Sequence, residues 1–71
     1  MTRKAACRRV ANSLREFGYR TVTERDIENV LFSWLAGKRD GDLPHGIIGM
    51  MAGAQFDEIE REAPGTLAKM S

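Results

Sequence analysis

Seventy-one residues, a formal net charge of +1, one cysteine and one histidine leave room for a single domain and little else. A domain of this size buries only about 60 % of the surface its unfolded chain exposes, so it leans on a disulfide, a metal or a partner. Cys7 alone excludes an intramolecular disulfide, and His45 alone leaves too few soft ligands for a structural zinc, so close helix packing or association remains.

In the first segment Ala6, Val10, Leu14 and Phe17 recur at three- and four-residue steps, with Cys7 and Ala11 beside them. That period predicts an amphipathic helix over about 2–17, ended by Gly18. Cys7 falls on its apolar side and reads as a small buried hydrophobe, not a reactive thiol. Residues 1–20 hold six basic groups against the single acid Glu16, a local net of +5, so the rest of the chain carries −4.

Thr23 stands where an N-cap belongs, with Asp26 three residues on as its capping-box partner and Val22 and Ile27 at the staple positions. They open a second helix over about 24–36, with Ile27, Val30, Leu31, Trp34 and Leu35 on one face and Gly37 just beyond its end. Phe32 departs from that face.

Lys38 to Gly41 read as a polar loop. Asp42 is then expected to cap a third helix over about 43–63, with Pro44 in its first turn and Pro64-Gly65 as its stop. Ile48, Met51 or Ala52, Gln55, Ile59 and Ala63 follow the helical period. Gly46, Gly49 and Gly53 each weaken such a helix by about 1 kcal/mol relative to alanine, so packing must hold its first half. The fold class is all-α, a small three-helix bundle over residues 1–65, with 66–71 expected as a flexible tail.

The usual catalytic constellations do not emerge. His45 lies between a proline and a glycine, with only Asp40 or Asp42 to orient it, and reads as solvent-facing. Asp57, Glu58, Glu60 and Glu62 read as a solvated helix face, and the glycines have helical spacing, not that of a phosphate nest. The expectation is a protein that is not an enzyme and needs no cofactor, metal or small-molecule substrate. No targeting segment is visible. The apolar run is about ten residues long, well short of the roughly 20 that span a bilayer, so a cytoplasmic location without a membrane partner is expected.

Two surfaces carry the functional expectation. Ile47, Ile48, Met50, Met51 and Ala54 wrap more than half of the third helix, and Gly49 and Gly53 would let another helix approach closely. With Phe32 extending the patch, Phe32, Ile47, Ile48, Met50 and Met51 point to a protein interface, for a partner or for a second copy in a homodimer. The competing possibility is a third helix that is central and buried from two sides. The alternative function is nucleic-acid binding through Lys4, Arg8, Arg9 and Arg15 on the first helix. Against it stands the prospect that those cations face Glu24, Glu28 or Glu58 across the bundle.

Overall fold

A computed structural model describes residues 1–68, and among them the chain forms three helices and no strand: α1 (Arg3–Phe17), α2 (Glu24–Leu35) and α3 (Ile47–Glu62). Each helix packs on the other two, giving a molecule of 29 × 23 × 19 Å.

The first two helices follow local chemistry. Thr2 caps α1 by accepting the Ala5 N–H, and Thr23 caps α2 in a reciprocal box. The Thr23 hydroxyl accepts the Asp26 N–H at 3.1 Å, and the Asp26 carboxylate accepts the Thr23 N–H at 3.0 Å. Both helices then end in the same way. The N–H groups of Gly18 and Tyr19 return to the carbonyls of Arg15 and Leu14, and those of Gly37 and Lys38 return to Trp34 and Ser33. Gly18 at φ 134° and Gly37 at φ 96° take the left-handed conformation this closure requires. Phe17 falls outside the core that its period predicted: Gly18 turns the chain before it faces inward, and it stacks on Tyr19, 72 % exposed.

The third helix starts four residues later than its sequence suggests. Asp42 does not cap it and Pro44 does not lie in its first turn, because Asp40–Asp42 form a short 3-10 turn and Leu43 plunges into the core. His45 at φ 70° and Gly46 at φ 59° then redirect the chain, and Ile47 is the first helical residue. Gly46 offers no side-chain cap; its carbonyl accepts the Met50 N–H.

The core is filled by Ala6, Cys7, Val10, Ala11 and Leu14 from α1, by Ile27, Val30, Leu31 and Trp34 from α2, and by Ala52, Phe56 and Ile59 from α3. Leu67 joins them, fully buried. Residues 66–68, expected in the tail, therefore fold back: Pro64 and Gly65 turn the chain, and Arg3 donates from Nε to the Leu67 carbonyl at 2.8 Å. Burying a leucine is worth about 2 kcal/mol, enough to hold a short turn against the bundle. Residues 69–71 of that expected tail lie outside the described residues. No helix among the described residues is long and apolar enough to cross a membrane.

Candidate functional site

The apolar stretch at the start of α3 divides into two faces. Gly49, Ala52, Gly53 and Phe56 turn inward and are buried. Ile47, Met50, Met51 and Ala54, at positions i, i+3, i+4 and i+7, form a second apolar row on the far side. Ile47 is 61 % exposed and Met50 45 %, Ala54 is exposed, and Met51, like Ile48, is half-buried against the core. Of the five interface residues named from sequence, Ile47 and Met50 are thus free on α3, while Ile48 and Met51 divide themselves between surface and core.

The glycines do not serve the purpose their spacing suggests. The close approach at Gly49 and Gly53 is made by this chain itself, through Leu43 and Pro44. A Cβ on Gly49 would collide with the Pro44 carbonyl oxygen, and one on Gly53 would stand 2.5 Å from Leu43 Cδ1. The groove that two glycines open along α3 is filled, and no second helix fits there.

Phe32, 68 % exposed, does not extend the α3 row. It stands on a groove of about 300 Å³ between α1 and α2, with Cys7, Leu31 and Leu35 beneath it and Arg3, Lys4 and Glu28 on the banks. The Cys7 thiol is pushed up to about 11 by burial, with the negative charges of Glu28 and Glu24 adding to the effect. It stays protonated at neutral pH and is inert as a nucleophile.

The four α1 cations singled out from sequence, Lys4, Arg8, Arg9 and Arg15, are used unequally. Arg15 donates from Nε to the Val22 carbonyl at 2.8 Å and from a terminal nitrogen to Asn12 Oδ1 at 2.7 Å, so it braces the α1–α2 connection. Arg8 faces Glu24 at 3.6 Å, as the competing sequence expectation had it. Arg9 borders a shallow depression with Ser13, Gln55, Glu58 and Ile59, and Lys4 lies on the Phe32 groove. Lys4, Arg8 and Arg15 thus stand toward α2 and its connection, and Arg9 stands toward α3.

A cluster that sequence reasoning missed ties α2 to α3. Trp34 donates its indole N–H to Asp57 Oδ1 at 2.9 Å, and Arg39 lies over the indole at 4.5 Å from the ring centroid. Arg39 also donates to the carbonyls of Trp34 and Lys38 and faces Asp57 at 3.5 Å. Asp57 and Glu60 are partly buried, and the Glu60 carboxylate accepts the Gly65 N–H, so the acidic run is not a uniformly solvated face. The available signal was Trp34 itself, because an inward tryptophan needs an acceptor for its N–H.

His45 is exposed, with Nε2 at 4.0 Å from Asp26 Oδ1. Asp26 is held below the ordinary carboxylate range, chiefly by the backbone N–H of Thr23, with partial burial opposing. Among the described residues no three histidine, cysteine or acidic side chains stand close enough to hold a metal ion. No protein-family model, curated protein or solved structure matches this chain.

Proposed function

We propose that this chain is a non-catalytic interaction module that lays the outward row of α3 into an apolar groove of a protein partner. The observation that carries this reading is the exposure of Ile47 and Met50 one turn apart, with Ala54 and the edge of Met51 completing the row. Helices that dock in grooves use anchors at this i, i+3, i+4, i+7 spacing. Methionine supports the role because its unbranched, polarizable side chain conforms to the surface it meets. The row ends after two turns, where Asp57, Glu58 and Arg61 take over, so the contact is short and apolar with a charged border. Nucleic-acid binding through Lys4, Arg8, Arg9 and Arg15 is the weaker reading, since Arg8 and Arg15 already serve internal partners.

A photo-cross-linking residue at Met50, introduced in the cell that makes the protein, tests this. The expected outcome is one discrete adduct, lost when Ile47→Asp is added and absent when the probe stands at Glu62. The Ile47 variant keeps its unfolding free energy within about 0.5 kcal/mol, as surface changes do. No adduct, or equal labelling from Glu62, overturns the reading, and an adduct of two copies of this chain reassigns the row to self-association.

A further inference from the structure

The groove between α1 and α2 has a charge arrangement that the α3 reading does not use. Its α1 bank is basic, with Lys4 and Arg8, and its α2 bank is acidic, with Glu24 and Glu28. The two helices run antiparallel, and Arg8 meets Glu24 at 3.6 Å, so one turn further along each helix Lys4 stands level with Glu28. Phe32 rises from the acidic bank, 68 % exposed, above a floor of Cys7, Leu31 and Leu35.

We propose that this groove is a self-association surface, and that its occupant is a second copy of the chain related by a two-fold axis running along the groove. That rotation turns one copy over and lays its basic bank on the acidic bank of the other. Lys4 of each copy then faces Glu28 of the other, and each Phe32 meets the opposite α1 bank beside the apolar floor. A two-fold interface must be self-complementary, and a face with one basic and one acidic bank meets that condition as neither bank would alone. A standard interface takes about 800 Å² from each partner, roughly one sixth of the 4533 Å² surface of this chain, so the contact extends beyond the groove onto both of its banks.

The test is molar mass across a concentration series, by sedimentation, for the full chain and its charge variants. The expected mass rises from 7.9 kDa toward twice that value as concentration increases. Lys4→Glu and Glu28→Lys each place like charges opposite one another twice and weaken association about tenfold. Mixing those two variants restores it, because each hybrid pair has opposite charges at both contacts, and Lys4→Glu with Glu28→Lys in one chain restores it too. Phe32→Ser abolishes it, and Ile47→Asp leaves it unchanged, which separates this surface from the α3 row. All these positions are solvent-facing, and helical circular dichroism verifies that each variant is folded. A chain that stays monomeric up to about 1 mM, the weak end of specific association, overturns the proposal. So does a dimer that Phe32→Ser leaves intact, or a charge mixture that fails to recover.

Discussion

The starts of α2 and α3 solve the same problem in opposite ways. At α2 the exposed N–H groups find partners within three residues, through the Thr23–Asp26 box. At α3 no side chain caps the helix, glycine occupies its third and seventh positions, and stability comes from Leu43 and Pro44 lying on those glycines. The first start is written in neighbouring residues, whose hydrogen bonds need no other part of the fold. The second exists only while the connecting segment is packed in place, and the glycines that weaken α3 as a helix are what admit that segment.

Gly49→Ala should separate the two starts most sharply. In an open helix the change gains about 1 kcal/mol. Here the added methyl meets a backbone carbonyl that cannot rotate away, so the sign reverses, with a loss of about 3 kcal/mol in urea unfolding. Leu43→Ala should cost about 2.5 kcal/mol by emptying its core site. It should also speed amide exchange in the first turns of α3 while leaving those of α2 protected. Thr23→Ala removes one cap and should cost about 1 kcal/mol, with faster exchange confined to the first turn of α2.

The smallest effect concerns acid. Because Asp26 titrates below its unfolded value, its stabilising contribution is complete above the ordinary carboxylate range and is lost as pH falls through the depressed folded value. Asp26→Ala should therefore lower the urea midpoint at neutral pH and flatten its decline on acidification. An unchanged acid limb would mean that the Asp26 carboxylate half of the box adds nothing to α2.

This contrast also explains what could be read from the residues alone. The three helices, the Thr23 box and the glycine closures at Gly18 and Gly37 rest on spacings of a few positions, and they were legible. The start of α3 was not, because Asp42 and Pro44 carry ordinary capping signals that lose to the burial of Leu43, a contact made with residues across the fold. Leu67 lay hidden for a similar reason: one leucine after a proline–glycine pair looks like tail until Arg3 is seen to hold its carbonyl. At the surface, the excess of apolar residues around α3 was visible in the sequence. Its division between an inward glycine face and an outward isoleucine–methionine row was not, since that depends on what the loop before the helix covers. Phe32 looked like part of the same patch because a linear sequence does not say which pair of helices borders a side chain.

The hold of Arg3 on Leu67 and Ala68 joins positions more than sixty residues apart. Among the described contacts it closes one of the longest loops in the chain, an entropic cost that the burial of Leu67 offsets. The beginning of α1 and the last turn of the described chain consequently fray together, as one seam. Rupture at either end uncovers the Leu67 socket, and with it apolar surface that is fully buried in the closed molecule.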